Sequence, residues 1–315
     1  MGSGSAGLTA AEELPKLGHT VTVFEMLSRP GGTLIYNILR FRLPLNIVDD
    51  KVAQLEGMGV EFVIETCLGR GISVDDLFQQ GYQAVFLGTG VGIEDELNLP
   101  GKDLEEIYQA TEFLKYTNLY DANIPPDAKG RSPESRQVVI FGGGCGAVDC
   151  ARTAVRMVIQ EVTCFYRCGV LDMLCRFEDK IAAQEEGVYF VPLVEAASLI
   201  GDERGRVVQA RCQRMRPSGI VPKAQPIPAE GATYTVDADL VILVPERGPD
   251  PLIGDTTPQL QTESEGWLLA DKETRQTNRR GAFAAGDNAG QSRLAVVTIV
   301  EACKAAAAIH EYLSI

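Results

Sequence analysis

The residues best suited to hold a charged ligand are two glycine-rich runs, Gly2-Ser3-Gly4-Ser5-Ala6-Gly7 and Gly142-Gly143-Gly144-Cys145-Gly146-Ala147. In such a run the first glycine permits a tight turn and the second lets backbone approach a pyrophosphate. The third small residue lets the following helix pack against a sheet. The anion then sits at a helix N-terminus, where free N–H groups and the macrodipole favour negative charge. Two such runs, roughly one domain apart, predict two bound dinucleotides.

Each run has the flanking elements this chemistry needs. The first leads through a helical stretch to Gly18 and then into Thr20-Val21-Thr22-Val23-Phe24-Glu25, a β-branched strand closed by an acid. A carboxylate about 20 residues after the loop suits a ribose hydroxyl pair; the plain alternative for Glu25 is a solvated strand end. The second run follows the apolar strand Val138-Val139-Ile140-Phe141 and precedes a helical pattern from Val148 to Val158. Beyond it, Val162-Thr163-Cys164-Phe165-Tyr166-Arg167 ends in a cation, so the two sites are predicted to hold different dinucleotides. Val207 to Met215 and Asp239 to Val244 read as further strands.

A length of 315 residues exceeds the size at which one core keeps growing, and 45% hydrophobic residues can build two. A net charge of −14 argues against nucleic acid as the partner, since phosphate binding needs a basic surface. No apolar run approaches the ~20 residues of a membrane span and no signal-peptide pattern is present, which predicts a cytoplasmic protein. The eight cysteines form no CxxC pair, so a cluster held within the chain is not expected. Cys145 and Cys150 have the spacing of some redox disulfides, but a loop and the helix after it do not bring two Cβ atoms face to face. Most of the cysteines are predicted to be small core residues in a reducing compartment. The two histidines, His19 and His310, lie in segments that read as peripheral, so no catalytic residue is predicted.

In their shared order these features resemble the small subunit of glutamate synthase and related FAD-dependent NAD(P)H:acceptor oxidoreductases. The resemblance covers nearly the whole chain. Its markers are Gly7-Leu8, Phe24-Glu25, Pro30-Gly31-Gly32, Phe41-Arg42-Leu43-Pro44, Leu87-Gly88-Thr89-Gly90 and Asp149-Cys150-Ala151-Arg152-Thr153. They continue with Tyr166-Arg167, Glu185-Glu186-Gly187-Val188, Ala284-Ala285-Gly286-Asp287 and Val296-Val297-Thr298.

The resemblance implies an α/β fold of two Rossmann-like dinucleotide-binding domains. The NAD(P) domain, residues 128–246, would be inserted into a discontinuous FAD domain of residues 1–127 and 247–315. Pro125 to Ser135 and Pro245-Glu246-Arg247-Gly248-Pro249 read as the two crossings. By similarity, Gly2, Gly4 and Gly7 face the FAD pyrophosphate and Glu25 the adenosine ribose, while Gly32, Arg42, Leu43, Thr89 and Gly90 lie along the flavin. Gly286 and Asp287 would meet the ribityl–pyrophosphate region. Val297 and Thr298 would start a helix whose N–H groups approach the flavin pyrimidine edge; the plain alternative for Thr298 is an ordinary helix cap. Gly142, Gly144, Cys145, Gly146 and Ala147 would hold the second pyrophosphate, with Arg167 and Arg176 turned to a 2′-phosphate. The expected cofactors are FAD and NADPH, with NADH the alternative because the family's Tyr-Arg-Arg is here Tyr166-Arg167-Cys168.

The chain starts at the first loop, with Met1 where the last residue of a strand belongs, so the first strand of the FAD domain is expected to be missing. Pro15 falls inside the first helix pattern, where it removes a hydrogen bond. Both features are expected to weaken FAD binding. The family's N-terminal cluster-binding domain is not part of this sequence. Hydride exchange with a nicotinamide moves two electrons, and no one-electron acceptor is encoded here, so an iron–sulfur partner subunit in a hetero-oligomer is expected. The alternatives are a non-catalytic flavin-binding assembly subunit and a disulfide reductase of the thioredoxin-reductase type, the latter needing a redox cysteine pair.

Overall fold

A computed structural model describes residues 1–91, 93–94, 97–119, 137–157, 161–170, 172–218, 226–248, 250–263, 266–290 and 294–314. The chain divides into two compact units, Met1–Asp95 with Arg247–Ile315, and Glu96–Glu246.

In the first unit, strand Thr22–Phe24 pairs in parallel with Glu61–Val63, and Val85–Leu87 pairs in parallel with Ala282–Ala284. The two pairs are joined by the first two residues of the chain. Gly2 N donates to Phe24 O at 2.8 Å, the Met1 amino group donates to Phe86 O at 2.8 Å, and Gly88 N donates to Met1 O at 2.9 Å. Met1 and Gly2 thus lie between the two pairs, at the position of the strand expected to be missing. Val85, Leu87, Ala282 and Ala284 pack with Met1, Phe24, Val74 and Leu77, while Leu14, Phe283, Ala306 and Ile309 form a second cluster. That second cluster joins helix Ser5–Lys16 to helix Ala295–Leu313, so the parallel strands have apolar cover from helices, as buried parallel sheets require. Pro15 lies in the last turn of helix Ser5–Lys16, two residues before its C-cap Leu17, where it helps end the helix.

The second unit holds a five-stranded parallel sheet in the order Val188–Pro192, Glu161–Tyr166, Gln137–Phe141, Leu240–Leu243 and Ile107–Gln109. After Gln137 the strand Gln137–Phe141 is apolar and buried throughout, as is Leu240–Leu243, which suits central parallel strands. Helices Ala110–Leu119, Cys145–Arg156 and Phe177–Glu185 belong to this unit. So does an antiparallel sheet of Val194–Gly201, Val207–Pro217 and Pro226–Asp237. The unit begins at residue 96, upstream of the expected 128. Ile107–Gln109 hydrogen-bonds to Leu240–Leu243, and Ala110–Leu119 packs on Cys145–Arg156, which fixes that segment in this unit. The crossing expected at Pro125 to Ser135 lies outside the described residues.

Candidate functional site

The two glycine-rich loops share one steric plan. A Cβ on Gly2 would stand 2.4 Å from Gly88 O, and one on Gly142 would stand 2.6 Å from Val244 Cβ. Neither contact is possible, and Gly2 also has φ +87°. At the third position Gly7 is pressed on the loop itself and Ala147 is fully buried. The middle glycines differ. Gly4 and Gly144 are the N-caps of helices Ser5–Lys16 and Cys145–Arg156, both with extended ψ, and neither helix has a side-chain cap. A Cβ on either would meet nothing within 4 Å. Protein thus crowds the outer positions, while open space faces the middle glycine and the uncapped N–H groups. This is the cradle a pyrophosphate fits.

Around the first loop the structure gathers most of the predicted flavin-side residues. Gly32 has φ +50°, and a Cβ there would stand 3.0 Å from Gly4 Cα, which places the Pro30-Gly31-Gly32 turn directly over the loop. Gly31 N donates to Ser3 Oγ at 2.8 Å. Ser3 in turn donates its N–H (2.9 Å) and hydroxyl to Glu25 Oε2, and Leu27 N donates to Glu25 Oε1 at 2.8 Å. Glu25 is therefore 5% exposed and already holds three donors. A carboxylate offers about four lone-pair sites, so about one remains, on Oε1, for a ribose hydroxyl. Sequence reasoning had Glu25 facing a ligand and did not foresee its bond to Ser3, because a contact across 22 positions leaves no spacing signature.

Thr89 follows strand Val85–Leu87 at the rim of the loop, and a Cβ on Gly2 would stand 3.1 Å from Thr89 Cα. Gly90, at φ +67°, faces open space. Gly286 is wedged between two helices, since a Cβ there would stand 3.2 Å from both Ala6 Cβ and Thr298 Cγ2. Its N–H donates to Glu301 Oε2 at 3.2 Å, and Glu301 pairs with Arg275 at 3.3 Å. Asp287 is half-buried in the same turn. Arg42 is exposed and Leu43 half-buried; both donate backbone N–H to Leu39 O in the turn before helix Leu45–Gly57.

The helix expected to start at Val297-Thr298 starts at Ala295 with Leu294 as its N-cap. The N–H groups of Val297 and Thr298 both donate to Leu294 O, at 3.0 and 3.1 Å. The N–H groups without an intrahelical partner are therefore those of Ala295 and Val296. Thr298 is buried against Gly286 and caps nothing.

In the second unit, the register Phe141↔Phe165 carries Arg167 to the edge of the loop, and Gly142 N donates to Phe165 O at 2.9 Å. Arg167 is exposed, with Nη1 4.0 Å from Glu195 Oε1. Leu174 N donates to Gly143 O at 2.9 Å and Cys145 Sγ meets Leu174 O at 3.5 Å, which ties the segment before Arg176 to the loop. Arg176 itself is exposed at the N-cap of helix Phe177–Glu185. Gly146 packs 3.4 Å, by a notional Cβ, from Val244. Arg167 thus directly follows the strand after the second loop, and Arg176 lies two residues beyond the Leu174 contact with that loop, whereas the first loop has a carboxylate.

The cysteines are less uniform than a core assignment implies: Cys150, Cys164 and Cys212 are buried, Cys145 and Cys303 exposed, and all eight are free thiols. Burial pushes the Cys212 thiol up to about 11 and raises Cys168 and Cys175 as well. His19 and His310 hydrogen-bond to each other at 2.9 Å. They sit at the far end of helix Ser5–Lys16 from Gly4, a 12-residue helix or roughly 18 Å. Among the described residues no helix is long and apolar enough to cross a membrane.

The fold and the paired loops define an α/β protein of two units, each carrying one glycine-rich loop. The chain belongs to the pyridine nucleotide-disulphide oxidoreductase family, whose model matches residues 1–302. It is 33% identical over its full length to the putative glutamate synthase [NADPH] small chain of Cereibacter sphaeroides, covering 76% of that protein. It is 34% identical, over 99% of its length, to the glutamate synthase [NADPH] small chain of Azospirillum brasilense, covering 65% of it. It is 30% identical to the NADP(+)-dependent formate dehydrogenase subunit beta of Moorella thermoacetica, spanning 99% of this chain but 43% of that subunit. In fold it matches Lactococcus lactis thioredoxin reductase with a TM-score of 0.76 at 18% identity, covering 99% of this chain and 97% of that one. The chain is thus an oxidoreductase of this family, related to glutamate synthase small chains and formate dehydrogenase beta subunits.

Proposed function

We propose that this chain moves a hydride between NAD(P)H, with NADPH preferred, and an FAD held by its first unit, and exchanges the electrons with an iron–sulfur-bearing partner subunit. The observation that carries this is the repeated cradle. Gly4 and Gly144 leave the same open space before the same kind of uncapped 12-residue helix, with a carboxylate bonded into one loop and a cation, Arg167, directly following the strand after the other.

The residues of the first unit fit FAD. The uncapped N–H groups after Gly4 would take the pyrophosphate, and Glu25, oriented by Ser3 and Leu27, would accept from the ribose. The Gly286-Asp287 turn would meet the ribityl chain, and the free N–H groups at Ala295 and Val296 would face negative charge on a reduced flavin. In the second unit Arg167 and Arg176 would bind a 2′-phosphate. When bound, the flavin supplies the conversion of a two-electron hydride into single electrons. The protein's part is to bind, orient and stabilise charge, so no nucleophile or acid–base pair is required of it. Relatives named as a small chain and as a subunit beta support a role within a larger assembly.

Anaerobic titration of the FAD-loaded protein with NADPH and with NADH tests the assignment, with bleaching of the flavin band as the expected result. Affinity purification from native extract should bring down a cluster-bearing protein. Protein that takes up no FAD, or a stable monomer that passes electrons from NADPH to its physiological acceptor unaided, would overturn it.

A further inference from the structure

In the first unit, Asn288 follows Gly286 and Asp287 and is 2% exposed. Its carboxamide nitrogen donates to Leu87 O at 3.0 Å and to Thr89 Oγ1 at 3.1 Å. The orientation is dictated chemically, since a flipped amide would set Oδ1 against the Leu87 carbonyl oxygen. Both amide N–H groups are thereby used, and among the described residues the buried Oδ1 has no partner, so the side chain is held in place through its nitrogen alone.

The bond to Thr89 has a second consequence. A hydroxyl that accepts from Asn288 keeps its own proton to give, and among the described residues that proton has no acceptor. Thr89 stands at the rim of the first glycine loop, beside Gly2 and next to Gly90, which faces open space. The pair therefore presents one oriented donor, the Thr89 hydroxyl, at the edge of that loop.

We propose that Asn288 is a positioning residue of the flavin site: held by Leu87 O, its amide fixes the Thr89 hydroxyl as a hydrogen-bond donor to an FAD oxygen. This rests on the reading of the first unit as an FAD site and adds a residue to it. The signal was present in the sequence as the residue after Gly286-Asp287, but its partner lies 199 positions away.

FAD binding to apoprotein, followed by quenching of flavin fluorescence, tests the assignment in the wild type and in Asn288→Ala, Thr89→Val, Thr89→Ser and the double variant Asn288→Ala/Thr89→Val. Thr89→Val should weaken FAD about three- to tenfold, the usual reach of one uncharged hydrogen bond, and Thr89→Ser should restore it. Asn288→Ala should cost about as much, and adding Thr89→Val to it should cost little more, because the hydroxyl is no longer oriented. A purely structural role would lower the melting temperature of the apoprotein in Asn288→Ala without the split between Val and Ser at position 89. Wild-type affinity in Thr89→Val, or losses that multiply in the double variant, would overturn the proposal while leaving FAD binding intact. Wild-type protein that does not bind FAD would overturn the site itself, and this inference with it.

Discussion

Gly7 lies so close to Gly2 that a Cβ on Gly7 would stand 1.9 Å from the Gly2 carbonyl oxygen. The helix that follows the loop can approach the first residues of the chain only because position 7 has no side chain. Gly4, three residues earlier, has no such neighbour. The two glycines should therefore fail differently. Gly7→Ala is expected to destabilise the first unit by several kcal/mol, since backbone must move. Gly4→Ala should melt like the wild type yet lose more than about tenfold in FAD affinity, because its methyl occupies the ligand's space. Calorimetry of the apoprotein beside FAD titration separates the two; a Gly4→Ala protein that binds FAD normally would remove Gly4 from the site.

The same argument applies in the second unit, where Gly144 faces open space. Gly144→Ala should retain FAD and lose reduction of the flavin by NADPH. Equal loss of both cofactors would point to general unfolding and count against separate sites.

Arg167 offers the test of nucleotide choice. A charge-assisted hydrogen bond is worth about 1.5 to 3 kcal/mol, and the half-exposed setting of this guanidinium places it at the lower end. Arg167→Ala should raise the Kd for NADPH about tenfold and change that for NADH little. Glu195, 4.0 Å away, competes for the same guanidinium, so Glu195→Gln should shift the preference slightly further toward NADPH. Stopped-flow reduction with both nucleotides decides it; parallel losses would mean that Arg167 does not read the 2′-phosphate.

Arg152 and Glu186, which appear in the sequence as parts of two unrelated family markers, form one ion pair with Nη2 2.6 Å from Oε1 and Nε 3.1 Å from Oε2. Hydrogen bonding to Arg152 holds the Glu186 carboxyl below its ordinary range. Its stabilisation is therefore fully present above the unfolded-state pKa of about 4.3 and is lost as pH falls through the lower folded-state value. Glu186→Gln should cost about 1.5 to 3 kcal/mol at neutral pH, a difference that closes in acid. Urea denaturation from pH 7 down to pH 3 measures this, and a pH-independent difference would refute it.

What could be read in advance follows from what each feature encodes. The glycine loops were legible because their spacing records a local backbone contact, as between Gly7 and Gly2, although the groups that crowd Gly2 and Gly142, Gly88 and Val244, lie far along the chain. The strands before and after the second loop were legible because a buried parallel strand must be apolar throughout. The bonds of Ser3 to Glu25, Arg152 to Glu186 and Asn288 to Thr89 were not, since each joins residues 22, 34 or 199 positions apart. Nothing local marks such a partner. The start of the second unit was misplaced for a related reason: Ile107–Gln109 is a three-residue strand whose membership depends on pairing with Leu240–Leu243.

Arg275 and Glu301 supply the last test. Their side chains are largely buried, Glu301 Oε2 accepts from Gly286 N and lies 3.3 Å from Arg275 Nη2 as an ion pair, and Arg275 donates to Ala289 O at 3.2 Å. The pair therefore braces both ends of the turn that carries Asp287 and Asn288, and Arg275 holds a left-handed φ of +58° to do so. Removing one partner of a buried pair leaves an uncompensated charge and costs about 3 to 5 kcal/mol, whereas replacing both with apolar groups is far cheaper. Glu301→Leu should thus be more damaging alone than when combined with Arg275→Met. Both should lower FAD affinity, because Gly286 N loses its acceptor in each. Denaturation of the apoproteins with FAD titration checks both halves: additive stability losses in the double variant would show that the two charges do not act as a pair, and unchanged FAD affinity would show that the turn stands without them.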